Sequence, residues 1–472
     1  MAMLLLIPGI ALPTVTGWMI VRLLEYRHPV LISAERWLLG FVGGMTFTMF
    51  VTFLLHSAGL IGFTFWGFLS VQLILTGVLA SCYIKNRETL NLQRFTFHDH
   101  PIVWSHATKI IIFILTLWTL IKIAGGAAML MGTPAYQDDV FNNWNLRGKV
   151  FFETHRLTLT LPMGNETFSS DGVSSYPPTI PMIKTWLALL HGEWHEGLIN
   201  SIHILWYLAT VALVFLFLRR SAGVLWGLVG AYLLTSLPLY LIHGSNAYAD
   251  VFMSLHILIP LLLLYLTSAD EDPSRRLSAL KLNAFFTGLL VFTKNEALLL
   301  YLPLILLCVI VAVLTDARQK RLSQGHAIHL LFYYLGFLTL ILLPWLTFKY
   351  LHGLPFGNAK AISDLSIGWQ PRVLYALWVN TFFEGNWVFL WPLFIGLTLF
   401  RWRRVLQSPL LLLTLFILIV IGEQSILYLF TSLSEEALNQ TGLARGLVHL
   451  APVTVFVTTL LLHDTWKHTT SA

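Results

Sequence analysis

Long apolar runs separated by short polar connections dominate the pattern of this chain. A helix of about 20 apolar residues spans the roughly 30 Å hydrocarbon core of a bilayer, and only internally hydrogen-bonded structures are stable there. The runs are continuous rather than alternating, which excludes a transmembrane β-barrel. We therefore expect an all-α, polytopic transmembrane helical bundle of about 11–13 spans. The candidate runs lie near 3–22, 36–56, 60–83, 108–131, 200–218, 222–242, 250–267, 281–293, 297–314, 329–350, 380–400, 408–430 and 446–463.

Composition agrees with this pattern. Of 472 residues, 56% are hydrophobic and 11% are charged, whereas a soluble domain has about 25% charged residues. The net charge of +6 comes from short basic clusters between spans, as the positive-inside rule describes, so the bilayer rather than nucleic acid is the expected partner. Cys82 and Cys308 both lie in apolar runs and indicate no disulfide framework.

The basic connections predict the orientation, because Lys and Arg concentrate on the cytoplasmic side. With that assignment the loop 132–199 lies on the outer face, together with 243–250, 294–296, 351–379 and 434–445. The basic connections used are 22–36, 84–109, 219–220, 268–281, 315–328 and 401–404. Asp250, Glu296 and Arg445 stand at span ends, where an unpaired charge is costly. We therefore expect one shared site at the outer leaflet.

The stretch AYQDDVFNNWNLRGKVFF (135–152) is the most unusual part of that face. Asp138 and Asp139 are adjacent, and such a pair suits a general base whose neighbour orients the nucleophile. The alternative is helix capping, because an Asp in a first turn favours the helix N-terminus. The residue pattern alone leaves both interpretations open.

Cations in the same loops suggest a lipid-linked phosphate or pyrophosphate as ligand. Arg147, Lys149, Lys294 and Arg445 are the candidates, since Arg binds phosphate through two hydrogen bonds and Lys acts as a point charge. Snorkelling to the interface is the alternative for each. An apolar segment of about 12 residues within 169–194 is too short to span, so we expect an interfacial, re-entrant or lid helix there.

An ordered series of motifs resembles the GT-C superfamily of membrane glycosyltransferases, in particular the bacterial group related to protein O-mannosyltransferases and the lipid A aminoarabinose transferase. After the acidic pair the series reads NNWNLRGKVFF, YPPTIPMIKTWLALLHG, AYADVFMSLH and FTKNEALLLYLPL. The resemblance covers roughly residues 108–320. It is weaker over 329–463, where LARGLVHLAP resembles a degenerate form of the family's late Arg-Tyr…Pro element.

The resemblance implies an enzyme that moves a hexose or pentose from a polyprenyl-phosphate-linked donor to an extracytoplasmic glycolipid, polysaccharide or protein. Asp138 or Asp139 matches the family's catalytic acid and would act as general base in an inverting displacement, and Asp250 matches its second acidic residue. Lys294 or Arg445 would stabilise the leaving phosphate. The substrate-binding candidates are Arg147, Lys149, Tyr176, Lys294, Asn295, Glu296 and Arg445.

The same resemblance suggests three regions: N-terminal spans (1–107), a GT-C-like module with its catalytic loop (108–320), and variable C-terminal spans (321–472). Three spans precede the module, a departure from the family, whose acidic loop usually follows its first span. Members with and without a metal exist, so no cofactor is assigned and a divalent cation stays an open alternative. The expected location is the bacterial inner membrane, with the site on the extracytoplasmic face.

Two other functions stay in view. An O-antigen-type polymerase or ligase would use Arg and His of the outer loop, for which His155, Arg156, His191 and His195 are candidates. A lipid-linked sugar flippase or transporter would place ionisable residues near the midplane and show two related halves. Glu423, inside a span, is expected to face the bundle and pair with a cation.

Overall fold

The structure is a computed structural model that describes residues 2–86, 104–135, 137–163, 166–168, 174–356, 366–406 and 409–470. These residues are almost entirely helical, apart from one antiparallel hairpin of β1 (Leu161–Met163) and β2 (Glu166–Phe168). The helices are α1 (Ala2–Glu25), α2 (Ser33–Ser57), α3 (Phe65–Asn86), α4 (His106–Gly132), α5 (Leu146–Thr154), α6 (Thr179–His191), α7 (Glu196–Ala222), α8 (Val224–Ser236), α9 (Pro238–Gly244), α10 (Asp250–Ala269), α11 (Pro273–Leu290), α12 (Leu302–Arg318), α13 (Gln324–Leu351), α14 (Val373–Phe382), α15 (Glu384–Trp387), α16 (Leu390–Phe400), α17 (Trp402–Leu406), α18 (Leu410–Phe430), α19 (Ser434–Leu438) and α20 (Gly442–Thr470). Two π-helical turns, Val140–Asn145 and Ala297–Tyr301, precede α5 and α12.

Ten helices among the described residues are long and apolar enough to cross a membrane, or eleven if the pair α8 and α9 is one span. The protein is thus an integral membrane helical bundle whose count among the described residues is one below the expected 11–13 spans, or equal to its lower limit if the pair is one span. The pair is bent by 80°, and Pro238 begins its second part, where a proline cannot continue the helical hydrogen bonding. The continuous span expected over 380–400 is wrong: α14, α15 and α16 are separated by breaks at Phe383 and at Val388, which has φ +54°.

Helices α1 and α2 pack with their backbones in contact. A Cβ at Gly44 would collide with the carbonyl of Pro13, and one at Gly17 with the carbonyl of Gly40. Small residues at such crossings let transmembrane helices approach closely, which supplies van der Waals contact that lipid cannot replace. The two N-terminal helices therefore form a closely packed pair.

Helices α1 and α2 pack against α6, the short helix of the outer loop. The indole Nε1 of Trp186 donates to the carbonyl of Gly9 at 2.9 Å, and its ring stacks on Phe68 of α3 with centroids 5.6 Å apart. Residues 179–188 are all buried. The short helix is therefore enclosed by other helices, including spans that precede it in the sequence.

One end of the bundle is held by basic residues paired with buried carboxylates. Glu25 accepts hydrogen bonds from Val30 N, Leu31 N and Arg36 Nε at 2.8, 2.8 and 2.5 Å. On the same end, Arg276 in the first turn of α11 pairs with Asp316 near the end of α12. Most of the expected basic connection 84–109 lies outside the described residues. Because α11 runs from this end to the candidate site, the two lie about 25–30 Å apart.

Candidate active site

Polar helix ends converge at the other end of the bundle. Asp139 directly precedes the first π-helical turn, Asp250 begins α10, Lys294 follows α11, Glu296 precedes the second π-helical turn, and Arg445 lies in the first turn of α20. These five side chains are joined by direct ion pairs, and we call them the ion-pair cluster. π-Helical turns are rare and frequent at functional sites, and here each one follows a carboxylate of the cluster.

Asp250 is the centre of the cluster and is fully buried. Its Oδ1 lies 3.1 Å from Lys294 Nζ and 2.9 Å from His449 Nε2, and its Oδ2 lies 3.0 Å from His243 Nδ1 and 3.2 Å from Arg445 Nε. A carboxylate has about four lone-pair positions. Since all of them are engaged by donors, Asp250 is arranged to hold cations in place rather than to take a proton.

Arg445 bridges the buried and the exposed parts of the cluster. Its Nη2 lies 2.5 Å from Asp139 Oδ2 while its Nε contacts Asp250, and the Asp139 side chain is 33% exposed. The guanidinium also lies over the ring of Tyr248, 5.6 Å from the centroid. Asp138 is exposed and accepts a hydrogen bond from Asn142 instead. Of the acidic pair, Asp139 alone contacts the cluster.

Lys294 and Glu296 form the third part of the cluster, with Nζ and Oε1 3.3 Å apart. Burial disfavours the charged lysine, but Asp250 and Glu296 outweigh it and raise the pKa of Lys294. Burial likewise opposes the charged form of Glu296, yet Lys294 holds the pKa of this carboxyl below its usual value. Both groups are therefore charged at neutral pH. The Oε2 atom of Glu296 has no hydrogen-bond partner among the described residues.

A hydrogen-bonded chain leads from Asp250 into the bundle. An ionised Asp250 only accepts, so His449 donates to it from Nε2 and, in the neutral ring, accepts from the Tyr301 hydroxyl at Nδ1, 3.0 Å away. The Tyr301 oxygen in turn lies 3.4 Å from Gln424 Nε2. His449 is one helical turn after Arg445, so α20 presents both side chains to Asp250. This chain fixes the orientation of the cluster.

Beside the cluster lie two buried cations, Arg147 and Lys349, which contact no carboxylate among the described residues and which we call the cation pair. Arg147 is 4% exposed; its Nη2 donates to the carbonyl of Tyr176 at 3.1 Å, whereas Nε and Nη1 have no partner in the part of the chain that the structure describes. Burial lowers the pKa of Arg147 to about 9, and the ionisation of Tyr176 acts in the opposite direction. Lys349 Nζ donates to the carbonyl of Ser175 at 2.6 Å and to Asn295 Oδ1 at 3.3 Å.

Ser175, Tyr176 and Asn295 connect the cation pair to the ion-pair cluster. Asn295 stands between the two charged residues of the cluster and donates to Ser175 Oγ at 2.9 Å. The Tyr176 ring packs against Trp144, with centroids 5.4 Å apart, and lies 5.9 Å from Lys294 Nζ. Burial raises the pKa of Tyr176, so its hydroxyl stays protonated. The site thus has a carboxylate-rich half and a purely cationic half on either side of this connection.

The structure brings most of the candidate residues together, but not all. Lys149 is exposed on α5 and contacts no described member of either group, and Asp138 is exposed and contacts Asn142 rather than Arg445. Glu423 pairs with no cation among the described residues; its neighbour Gln424 reaches the site instead. Sequence reasoning missed His243, His449, Tyr301 and Lys349. The spacing of His449 four residues after Arg445 was a usable signal, whereas nothing local marks Lys349.

The residues named for an alternative function lie elsewhere. His155 is exposed with φ +55° at the end of α5, and Arg156 is also exposed. His191 lies 3.8 Å from Glu193, and His195 caps α7 by accepting from Leu198 N at 3.2 Å. None of these contacts involves the ion-pair cluster. Within the described residues, no group of three or more His, Cys, Asp or Glu is arranged to hold a metal ion.

Comparison with known proteins yields structural neighbours. No protein-family model and no curated protein sequence matches the chain. Two solved structures of ArnT from Cupriavidus metallidurans do: one bound to undecaprenyl phosphate (TM-score 0.55, 14% identity, 74% of this chain and 60% of that one) and one in the apo state (TM-score 0.52, 15% identity, 77% and 62%). The chain spans about three fifths of their length. Across the aligned part it shares the helical fold of these two structures, which belong to the kind of transferase that its motif series resembles.

Proposed function

We propose that the protein is a membrane glycosyltransferase that uses a polyprenyl-phosphate-linked sugar as donor. The observation that carries this proposal is the pairing of Asp139, through Arg445, with a buried charge network directly beside the carboxylate-free cation pair. A group-transfer site for such a donor needs a base for the acceptor and cations for the leaving phosphate. The GT-C fold and the undecaprenyl phosphate bound in one ArnT structure agree with this donor.

Asp139 is the proposed general base. It is partly exposed, so an acceptor can reach it, and its contact with Arg445 fixes the direction of the carboxylate. Asp250 has no vacant lone pair for a proton, which makes it a positioning residue for Arg445 and Lys294. Asp138 is a weaker candidate, because its one contact among the described residues is with Asn142 and it has no ion pair with Arg445.

The cation pair is the proposed site of the donor phosphate. Lys294 and Arg445, the cations suggested by the sequence, each contact two carboxylates and have little charge left for a ligand. Among the described residues, two nitrogens of Arg147 have no hydrogen-bond partner, and the hydrogen bonds of Lys349 go to neutral oxygens. Binding a phosphate would offset the desolvation of both cations, which is otherwise unfavourable.

The chemistry follows as one displacement. Asp139 takes the proton of the acceptor while the acceptor oxygen attacks the anomeric carbon, and the bond from that carbon to the phosphate oxygen breaks on the opposite face. The configuration therefore inverts. The polyprenyl phosphate leaves as an anion held by Arg147 and Lys349, so no protonating acid is needed. Enclosure by the bundle supplies orientation.

The test compares the two adjacent aspartates. Asp139→Asn and Asp138→Asn are isosteric and carry the same charge change, but only Asp139 contacts Arg445, whereas Asp138 is exposed and contacts Asn142. In proteoliposomes supplied with radiolabelled undecaprenyl-phosphate-linked sugars and envelope material, we expect Asp139→Asn to lose transfer by about a hundredfold or more, because general-base catalysis contributes roughly that much. Asp138→Asn should keep most of it. Full activity of Asp139→Asn would refute the assignment.

The broader expectations belong to the same proposal. With the basic end of the bundle in the cytoplasm, the site opens to the extracytoplasmic face of the bacterial inner membrane. The regions 1–107, 108–320 and 321–472 would be accessory, catalytic and variable parts. A polymerase or ligase is less well supported, because His155, Arg156, His191 and His195 do not join the site. A transporter is less well supported because the charges gather at one end of the bundle rather than at its midplane.

A further inference from the structure

The two halves of the site differ in charge. The ion-pair cluster holds the carboxylates of Asp139, Asp250 and Glu296 against the cations of Lys294 and Arg445, and so has one negative charge in excess when the histidines are neutral. The cation pair next to it has two positive charges and no carboxylate in contact. In a low-dielectric site an uncompensated charge is energetically costly. The occupants of the two halves must therefore differ in charge as well.

We infer that the nucleophile of the acceptor is an uncharged hydroxyl group and not a phosphate; this rests on the proposed function. Counted over the described residues, the two halves together contain four cations and three carboxylates. The single negative charge of a donor phosphodiester brings the loaded site to neutrality. An acceptor phosphate would then add one or two negative charges next to Asp139, with no cation left to balance them.

The contacts of the cations support the same conclusion. Arg445 is divided between Asp139 and Asp250, and Lys294 between Asp250 and Glu296. Releasing either cation for an acceptor phosphate would leave Asp139 or Glu296 without its ion-pair partner and would remove one of the four donors around the buried Asp250, which is unfavourable. The polar atoms that the cluster offers to a ligand are acceptors: the partly exposed Asp139 carboxylate and the unpartnered Oε2 of Glu296. Such atoms bind O–H donors and repel phosphate oxygens.

The step balances with no further reactant. The hydroxyl proton moves to Asp139, the hydroxyl oxygen forms the bond to the anomeric carbon, and the electrons of the broken carbon–oxygen bond leave on the polyprenyl phosphate. The proton on Asp139 then passes to water at its exposed side. The product is an O-glycoside, whereas a phosphate acceptor would give a glycosyl phosphodiester. The two products differ chemically, because mild acid cleaves the second and spares the first.

The experiment uses the full-length protein in proteoliposomes with a panel of undecaprenyl-phosphate-linked, radiolabelled hexoses and pentoses. The acceptors are envelope material and a matched pair of probes, decyl glucoside and decyl glucoside 6-phosphate. We expect label in envelope material through an acid-stable linkage, and transfer to decyl glucoside at least tenfold faster than to the phosphate position of its 6-phosphate. An acid-labile glycosyl phosphate would overturn the inference while leaving the proposed function intact. Absence of transfer from every donor would overturn both.

A charge variant tests the cause. Glu296→Gln removes the excess negative charge, so we expect decyl glucoside 6-phosphate to inhibit transfer about tenfold more strongly than in the wild type. This is the size expected for one charge several ångströms away at an effective dielectric constant of about 20. Glu153→Gln, an exposed carboxylate on α5 outside the site, is the matched control and should not change inhibition. Equal inhibition of all three proteins would contradict the charge-balance argument.

Discussion

Replacing Arg147 with methionine tests whether the charge of this side chain binds a ligand or stabilises the fold. Methionine keeps an apolar stem of similar length, and the side chain it replaces makes one hydrogen bond, to Tyr176 O, and leaves Nε and Nη1 unpartnered among the described residues. Without ligand the guanidinium is thus a desolvated charge with little compensation. We expect the variant to be at least as stable as the wild type, but to bind a lipid phosphate poorly.

The magnitude follows from the contacts. Burial lowers the pKa of Arg147 from its ordinary value to about 9, and a change of that size corresponds to roughly 5 kcal/mol against the charged form. Removing the charge should therefore not lower the midpoint of thermal unfolding of the free protein. A charge-assisted hydrogen bond to phosphate contributes about 1.5–3 kcal/mol, so the affinity for undecaprenyl phosphate should fall between about tenfold and a hundredfold.

The assay is the binding of undecaprenyl phosphate to purified protein in nanodiscs, with thermal unfolding measured on the same samples. Lys149→Met is the matched control, because it removes the same charge two residues away from an exposed position on the same helix. It should change the affinity less than about twofold, since exposed charges are screened. Unchanged affinity in Arg147→Met together with a lowered midpoint would refute the reasoning, because Arg147 would then be structural.

Three further outcomes are expected. Arg445→Lys keeps the charge but cannot contact Asp139 and Asp250 through separate nitrogens of a fixed fork, so sugar transfer should fall about ten- to a hundredfold in kcat while donor affinity is unchanged. Tyr301→Phe removes the donor to His449, and we expect kcat to fall several-fold with little change in KM. Because the pKa of Glu296 is lowered in the folded protein, its stabilising contribution is present above pH 4.5 and lost as pH falls through the lowered pKa; Glu296→Gln should flatten this acid limb of unfolding midpoint against pH.

The bundle itself could be predicted from the sequence because hydrophobic length is a local property. The spans expected near 36–56 and 408–430 correspond to Ser33–Ser57 and Leu410–Phe430. Breaks were harder to predict. The 80° bend before α9 and the interruption at Val388 depend on packing that supports a broken helix, and apolar composition alone does not show it. The distribution of Lys and Arg placed the loops that carry Asp139, Asp250, Lys294 and Arg445 on one face, and in the structure these residues meet.

The site was predictable as far as topology determines it. Asp139, Asp250, Lys294 and Arg445 stand at helix ends on one side of the bundle, so counting spans was enough to place them near one another. Lys349 could not be recognised, because a lysine in the last turn of a span is the usual snorkelling pattern. Its burial depends on contacts with Ser175 and Asn295, which are far away in the sequence.

The position of Arg445 and His449 on α20 has a consequence for biosynthesis. Chains are made from the N-terminus, so Asp250 enters the membrane long before the two α20 side chains that satisfy half of its lone pairs exist. Until α20 inserts, the incompletely paired carboxylate of Asp250 is energetically costly in the nascent bundle, and pairing with a wrong cation would reduce that cost. Helix α20 therefore completes the charge network, and in a chain that stalls before α20 the buried Asp250 lacks two of its four donors.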